Sequence, residues 1–390
     1  MPQMRPESTI DLFSDPILLD PYPAYRELRD QAAAVWLQPL GMFALSRYHD
    51  VREALRDWQT FSSARGAAMN DPVNEGIAGN TLGSDPPLHD KLRSVLIRPM
   101  APAAMRDVNL LIESEAESLA DRLVALGRFD AATDLAQYLP VTVVSQLVGL
   151  PEAGRERMLE WGNAAFNSLG PPNQRCLSAM PISMGLIDYA FTKVDPATLK
   201  PGSWAALAFE AADRGEITIQ QARGLILDYV GPSLDTTILA VSNAIWLFAR
   251  HPDQWTMLRD NPALIPAAIN ETLRIESPIQ TFSRYVARDV EIDGVLLPEG
   301  SRALVMYGSA NRDERKWQDP ERFDILRKAT DQLAFGHGEH LCAGLPLARL
   351  EIRALLTALA KRVARFEILE VTRGINNTLR GLESLEVAVQ

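Results

Sequence analysis

The apolar residues of this chain recur at helical spacing over four long segments. These segments cover residues 116–126, 177–193, 219–250 and 343–366. Shorter alternating stretches at 43–46, 287–297 and 302–307 are typical of strands, and the last two flank the turn signal Pro298-Glu299-Gly300. No repeat, low-complexity tract or Gly/Ser-rich linker divides the chain. We therefore predict a mainly α protein with small β-sheets, an α+β fold, forming one large domain over residues 1–390.

The charge balance limits the partners that such a fold could have. The chain carries 39 Lys and Arg residues against 50 Asp and Glu residues, a formal net charge of −11. This balance disfavours general attraction to nucleic acid or to an anionic membrane. No uncharged apolar run reaches the roughly 18 residues of a spanning helix, and residues 1–15 lack the apolar stretch of a signal peptide. We expect a cytoplasmic protein that binds neither nucleic acid nor membrane.

The cysteines point to one place in the chain. Only Cys176 and Cys342 occur, far apart and without CxxC spacing, which excludes a zinc ribbon, a cysteine-ligated iron–sulfur cluster and a disulfide scaffold. Cys342 lies in a glycine-rich run, residues 335–344, that leads directly into a predicted helix. A thiolate there would receive the positive end of the helix dipole, which would lower its pKa and make it a nucleophile or a metal ligand. A lone cysteine is otherwise usually a buried core residue.

A second interruption falls within the predicted helical segment 219–250. Gly231-Pro232-Ser233 breaks its periodicity, and a proline lacks the N–H that a helix interior needs. The pattern predicts a kink or an opened turn. A simple helix boundary at Gly231 is the alternative, since the residue before a proline is pushed out of the helical region.

The run from Phe335 to Gly344 resembles the cysteine-ligand loop of the cytochrome P450 family, whose pattern is Phe-Gly-x-Gly-x-His/Arg-x-Cys-x-Gly. Residues 271–274 resemble the Glu-x-x-Arg motif of the same family, and residues 319–323 resemble its Pro-x-Arg-Phe segment. The resemblance implies a P450 fold around haem b, with Cys342 as the iron ligand and Phe335 in the loop that holds it. It also implies a buried structural network of Glu271, Arg274 and Arg322. An exposed Glu–Arg pair on one helix is the alternative.

The resemblance assigns further residues to the cofactor and to oxygen chemistry. Four basic side chains should hold the two haem propionates, because half-buried carboxylates need charged partners: His89, Arg93, Arg284 and His340. Asp235 and Thr236 match the acid–alcohol pair of the family and should line the oxygen side of the haem, as catalytic residues that relay protons. The family usually has Ala-Gly where this chain has Pro232-Ser233, so Gly231 would take the place of the small residue and Ser233 would add a hydroxyl. The alternative for the Asp-Thr-Thr run is a helix-capping cluster.

These assignments imply a haem-thiolate monooxygenase that uses O₂ and two externally supplied electrons. The sequence has neither a GxGxxG segment nor a ferredoxin cysteine cluster, so a separate ferredoxin, flavin reductase or both are expected as donors. Lys328, Arg349 and Arg353 are candidates for the docking patch, or else solvated surface charges. An H₂O₂-driven peroxygenase and a haem-binding sensor or carrier without turnover are the alternatives.

The expected substrate is a small aromatic molecule. Within the family, the segments 231–237 and 61–66 look most similar to the branch that O-demethylates guaiacol and related methoxyphenols with release of formaldehyde. A methoxybenzoate demethylase, which would share Arg65, and a terpene hydroxylase are competing assignments. Ala67-Ala68 offer no hydroxyl to hold a benzoate carboxylate. The substrate pocket, on the oxygen side of the haem, is expected to be lined by mostly apolar residues: Phe61, Ala67, Phe166, Leu227, Gly231, Ile279, Phe282 and Leu382. In the alternative, Phe61, Phe166 and Phe282 are plain core residues.

Overall fold

The computed structural model describes residues 5–390 and is mainly helical. Short π-helical turns occur at Ala131–Ala136, Pro140–Val144 and Tyr189–Lys193, and 3₁₀ turns at Arg98–Met100, Pro196–Thr198, Pro262–Leu264 and Gly338–His340. The α-helices are α1 (Asp15–Leu19), α2 (Tyr22–Gln31), α3 (Tyr48–Arg56), α4 (Asp71–Gly76), α5 (Leu88–Leu96), α6 (Arg106–Leu126), α7 (Ser145–Val148), α8 (Glu152–Arg155), α9 (Met158–Ser168), α10 (Gln174–Asp188), α11 (Trp204–Asp213), α12 (Ile219–Val230), α13 (Asp235–Arg250), α14 (Pro252–Asp260), α15 (Ile265–Ile275), α16 (Tyr307–Ala310) and α17 (Leu345–Ala360).

The long predicted segment 219–250 folds as two helices. Thr218 begins α12 with a capping box, in which its hydroxyl accepts from the Gln221 amide at 3.2 Å and its own amide donates to Gln221 Oε1 at 2.9 Å. Gly231 N still donates to Leu227 O at 2.9 Å, but Pro232 has no N–H to continue the ladder. The helix therefore ends at Val230 and a new one begins at Asp235, which confirms the predicted interruption.

Three sheets accompany the helices. The strand order of the largest is β1-β2-β3-β9-β6-β4; a second has the order β10-β11-β5, and β7 pairs with β8. The strands are β1 (Glu7–Ser8), β2 (Ala34–Leu37), β3 (Met42–Leu45), β4 (Phe61–Ser62), β5 (Arg128–Asp130), β6 (Phe282–Val286), β7 (Val290–Ile292), β8 (Val295–Leu297), β9 (Arg302–Val305), β10 (Phe366–Arg373) and β11 (Leu382–Val389).

Several predicted boundaries differ from the structure. The predicted strand 287–297 is the hairpin β7–β8, because Asp293 and Gly294 both adopt positive φ, 48° and 79°, and reverse the chain. The strand predicted for 302–307 ends at Val305, and Tyr307 already begins α16. The predicted helix 343–366 ends at Ala360, and Phe366 opens β10.

The main core lies where the helices meet. Buried residues of α6, α12, α13, α15 and α17 form one continuous apolar cluster, and the largest sheet packs in two smaller clusters. Within residues 5–390, no helix is long and apolar enough to cross a membrane. This packing fixes α13 and α17, the two helices whose beginnings border the site described next.

Candidate active site

One interior cavity brings together most of the residues that the sequence singled out. It is bordered by the break between α12 and α13 and by the loop that precedes α17. Thr236 and Gly231 line it from the break, and Cys342 and Phe335 line it from the loop. Most of the remaining lining is apolar, which favours a chamber for an apolar molecule.

The loop around Cys342 is held by backbone contacts. Cys342 N donates to Phe335 O at 2.9 Å, closing the loop three residues before α17 begins. Gly336 and Gly338 adopt positive φ of 74° and 69°, a region that glycine tolerates best. A Cβ on Gly338 would lie 2.4 Å from Leu55 O, so the loop packs directly on the backbone of α3. The position of the cysteine is therefore fixed by glycine-dependent packing.

The Cys342 thiol is accessible from the cavity. Desolvation by the surrounding protein raises its pKa, although the backbone amides of Gly344 and Leu345 and the charge of Arg93 act in the opposite direction. The backbone amides at the helix start do act in the direction that the sequence predicts, but desolvation acts more strongly on this thiol, so its pKa is not lowered. A metal ion bound at the sulfur would displace the proton, since the thiolate is the ligand form.

Two hydroxyls at the break between α12 and α13 donate to backbone carbonyls four residues earlier in the chain. Thr236 Oγ1 donates to Pro232 O at 3.1 Å, and Ser233 Oγ donates to Tyr229 O. Ser233, Thr236 and Thr237 all line the cavity. The break therefore presents three hydroxyl-bearing residues to the chamber.

Asp235 lies elsewhere. Its carboxyl is buried against α9, where a Cβ on Gly162 would come within 2.5 Å of Oδ2, and it does not line the cavity. Within residues 5–390, Oδ2 has no hydrogen-bond partner, and burial raises the pKa of this carboxyl to about 7. The prediction that Asp235 lines the oxygen side is wrong, because consecutive helix residues point about 100° apart and Thr236 takes the cavity direction.

Four basic residues lie beside the loop around Cys342, where Arg93 donates to Leu341 O at 2.6 Å. The rings of His89 and His340 lie 4.4 Å apart, and Arg93, Arg284 and His340 line the cavity, whereas fully buried His89 does not. In the described part of the chain, neither histidine Nε2 has a partner although both atoms are buried. Desolvation, followed by the charges of Arg284, His89 and Arg93, lowers the pKa of His340 to about 2. Asp90 Oδ1 lies 3.1 Å from His89 Nδ1, while the two unpartnered Nε2 atoms and the two guanidinium groups suit further carboxylates.

A buried ion-pair network is centred on α15. Glu271 and Arg274 are fully buried and form two hydrogen bonds of 2.7 and 2.9 Å. Arg327 Nε donates to the same carboxylate at 3.1 Å. The side chain of Arg322 is 64% exposed and pairs with Asp324 instead, so its predicted place in the network is wrong. Only the Arg322 carbonyl takes part, because it accepts from Arg274.

The chain is similar over almost its whole length to a characterised protein. It is 38% identical over 387 residues to cytochrome P450 CYP199A2 of Rhodopseudomonas palustris, with 98% of this chain and 94% of that one covered. The chain belongs to the cytochrome P450 family. The P450 family model itself matches residues 203–374, which include α12, α13 and the loop around Cys342.

Other members of the P450 family are similar over the same extent. A β-dihydromenaquinone-9 ω-hydroxylase of Mycobacterium tuberculosis is 32% identical over 393 residues, covering 97% of this chain and 78% of that protein. The solved structure of CYP109E1 from Bacillus megaterium in complex with testosterone superposes with a TM-score of 0.86 at 26% identity, covering 96% of this chain and 99% of that one. These likenesses confirm the P450 fold predicted from the sequence.

Membership makes this P450 a monooxygenase, an oxidoreductase whose cofactor is haem b bound through a cysteine thiolate. The residues present fit that cofactor. A cysteine thiol reaches an apolar chamber, and the unpartnered nitrogens of His89 and His340, with Arg93 and Arg284, suit two propionates.

The predicted pocket residues divide into two groups. Phe166, Leu227, Gly231, Ile279 and Phe282 line the cavity. The other three are buried in the core and do not line the cavity. Phe61 of β4 packs in the core of the largest sheet, and Leu382 of β11 packs in the helical core. Ala67 is buried next to β6, where its carbonyl accepts a hydrogen bond from Ser283 N at 3.1 Å.

Two acidic cavity residues were missed from the sequence. Glu351 of α17 is buried, neither of its oxygens has a partner within residues 5–390, and desolvation raises its pKa well above the ordinary value. Asp228 of α12 lines the cavity one turn before Pro232. Each is an acid on an otherwise apolar helix face, which it shares with Leu347 and Leu355 in one case and with Leu225 in the other, and that pattern was the available signal.

The three candidate docking residues have different surroundings. Arg349 is half-buried and donates to Asn270 Oδ1 at 2.7 Å, and Arg353 pairs with Glu113 at 3.1 Å. Lys328 is exposed. Of the three, Lys328 therefore retains the most accessible charge for a partner.

Proposed function

We propose that this P450 O-demethylates a small neutral methoxyarene, a methoxyphenol such as guaiacol or syringol. The methoxy carbon gains one oxygen atom from O₂, and the resulting hemiacetal collapses to a phenol and formaldehyde. The second oxygen atom leaves as water after two electrons and two protons are taken up. The observation that carries this proposal is a cavity with Cys342 and Thr236 in its lining and with mostly apolar walls, whose aromatic rings include Phe166 and Phe282.

Haem b, when bound, supplies the activation of O₂. We assign Cys342 as the ligand of its iron, and His89, Arg93, Arg284 and His340 as partners of its propionates. The supporting observations are the loop geometry around Cys342 and the buried, unpartnered Nε2 atoms of His89 and His340. Phe335, whose carbonyl closes the loop, belongs to the same cradle.

Thr236 is the residue that we assign to proton delivery. Its hydroxyl lies in the cavity lining and donates its hydrogen to Pro232 O, so its oxygen can accept a hydrogen bond from a water in the chamber and orient that water as the proton donor. Asp235 has no part in this relay, since its carboxyl faces α9.

The two electrons come, in this proposal, from a separate ferredoxin, flavin reductase or both. The two cysteines of this sequence cannot ligate an iron–sulfur cluster by themselves. We place the docking surface at exposed basic side chains in the C-terminal part of the chain, Lys328 and Arg353 of α17.

A phenol is favoured over a benzoate by the position of Arg65. This residue is exposed, lies with its guanidinium 3.9 Å from the centre of the Tyr285 ring and does not line the cavity. It is therefore not placed to hold a substrate carboxylate. A buried carboxylate without a cationic partner is costly.

The test is a titration of the purified holoenzyme with guaiacol, syringol, 4-methoxybenzoate and a terpene. We expect the largest low-to-high spin shift with a methoxyphenol, and formaldehyde on turnover with NADH and added redox partners. Phe282→Leu, in the cavity wall, should alter the methoxyphenol dissociation constant, whereas Phe61→Leu, outside it, should not. A dominant response to the terpene or the benzoate, with none to the phenols, would contradict the proposal.

A further inference from the structure

Asp228 is an acidic residue in the wall of the substrate chamber that the reaction proposed above does not use. It lies on α12 beside Leu227 and one turn before Gly231 and Pro232, all of which line the cavity. Across from it run Thr81 and Leu82, in the segment between α4 and α5, and these also line the cavity. Thr81 N donates to Asp228 Oδ2 at 2.9 Å.

The carboxyl has no cationic partner within residues 5–390. None of the ion pairs of the described chain includes Asp228, and no basic side chain is among the groups that shift its pKa. Desolvation raises the pKa of Asp228 to about 6, and the Thr81 hydroxyl, followed by the backbone amides of Thr81 and Leu82, limits that rise. The group is thus mostly ionised at pH 7.5, and only neutral donors stabilise its charge.

The residue offers more acceptor positions than the protein fills. An ionised carboxylate accepts at about four positions and donates at none. The Thr81 hydroxyl and the backbone amides of Thr81 and Leu82 do not fill all of them. Pro232, four residues on, has no N–H, so the Asp228 carbonyl also lacks its usual helical donor. Asp228 is therefore an acceptor-rich point in an apolar wall.

We propose that Asp228 determines substrate specificity, by accepting a hydrogen bond from a hydroxyl on a neutral aromatic ring and by excluding a carboxylate at the same position. This inference rests on the proposed function, because it names the ring substituent that the demethylase recognises. A site built to accept from a substrate hydroxyl rejects the analogue without one, since the buried acceptor is left unpaired. An anionic substituent is rejected further by like-charge repulsion at low dielectric.

The experiment compares three ligands of nearly the same shape on the holoenzyme by isothermal titration calorimetry. Guaiacol carries a hydroxyl beside its methoxy group, 1,2-dimethoxybenzene has no donor, and 2-methoxybenzoate has a carboxylate. We expect the wild-type protein to bind guaiacol at least about tenfold more tightly than either analogue. Asp228→Asn keeps the shape and an acceptor for Thr81 N but removes the charge, so it should reduce the preference for guaiacol over 2-methoxybenzoate by about tenfold or more. Asp213→Asn, the same change at an exposed position of α11, is the control and should change nothing.

Each outcome separates this inference from the proposed function. An unchanged preference in a haem-loaded Asp228→Asn protein, or equal binding of guaiacol and 1,2-dimethoxybenzene by the wild type, overturns the role of Asp228 even if guaiacol is demethylated. Tighter binding of 2-methoxybenzoate than of guaiacol by the wild type, or no binding of guaiacol at all, overturns both. A variant that loses haem is replaced by Asp228→Ser, for which the same loss of preference against the benzoate is expected.

Discussion

The carboxylate of Glu271 accepts a 3.1 Å hydrogen bond from Arg327, 56 residues further along the chain. Glu271 is completely buried, so its charge depends on the two arginines that contact it, Arg274 and Arg327. Arg327 also donates to the carbonyls of Gln318 and Asp319 and so ties the segment after α16 to α15. The network is therefore a brace between a helix and an otherwise irregular stretch.

Arg327→Met should destabilise the holoenzyme by about 1–3 kcal/mol, because one of the two cationic partners of a buried carboxylate is lost while Arg274 and the Asp324 amide remain. Arg322→Met is the matched comparison and should change the free energy of unfolding by less than about 0.5 kcal/mol, since that side chain is exposed. Urea unfolding followed by circular dichroism measures both. Equal effects of the two substitutions would contradict the assignment of Arg327.

Cys342→Ser should abolish the red-shifted Soret band of a thiolate-ligated ferrous carbonyl complex, because a serine oxygen does not replace the thiolate. Cys176→Ser is the control. Cys176 is buried away from the cavity, with its Sγ 3.5 Å from Ser168 O, and its substitution should leave the band in place. Survival of the band in the Cys342 variant would disprove the ligand assignment.

Thr236→Ala should retain haem and substrate binding yet divert electrons to peroxide, because the hydroxyl that organises protons at the break is lost. Product formed per NADH should fall severalfold, and H₂O₂ should rise correspondingly. Thr256→Ala removes a hydroxyl that donates in the same way to a proline four residues earlier, Pro252, but on exposed α14. It should leave coupling unchanged. An unchanged ratio of product to NADH in Thr236→Ala would mean that Ser233 or Thr237 organises the protons instead.

Asp235→Asn should remove a pH dependence of stability. The folded-state pKa of Asp235 is about 7, above its ordinary value of 3.8, so the native state holds the proton more strongly than the unfolded state does. This group therefore makes the wild-type protein lose stability as the pH rises from about 4 to about 7. Relative to the wild type, the amide variant should gain about 2 kcal/mol between pH 5 and pH 8. Parallel pH profiles of the two proteins in urea unfolding would show that Asp235 titrates normally.

The fold and the centre of the site could be predicted because they depend on local patterns. Helical periodicity located the core helices, and Pro232 located the break between α12 and α13. The run around Cys342 was informative because its glycines and its cysteine act through the backbone of one short loop. Such features depend on residues that are contiguous in the sequence, so they can be predicted without knowing how the chain packs.

The errors concern which way a side chain points. Asp235 and Thr236 are neighbours in sequence, yet one faces Gly162 and the other the cavity, and helix phase at a broken start is set by tertiary contacts. Arg322 and Arg327 are both arginines in one irregular segment, and only the path of the backbone brings Arg327 to Glu271. Phe61 satisfied an aromatic pattern but is used by the sheet.

The position of β3 in the largest sheet also bears on how the chain is made. Its partner β9 pairs Ala303 with Phe43, so about 260 residues are synthesised between the two strands. Translation adds roughly 5–20 residues per second, so β9 is synthesised on the order of 10–50 s after β3. All four of its residues, Met42 to Leu45, are buried in the finished protein and form an unpaired apolar edge until then. Yield during expression is therefore expected to depend on chaperones that shield nascent chains, and on the speed at which residues 46–302 are translated.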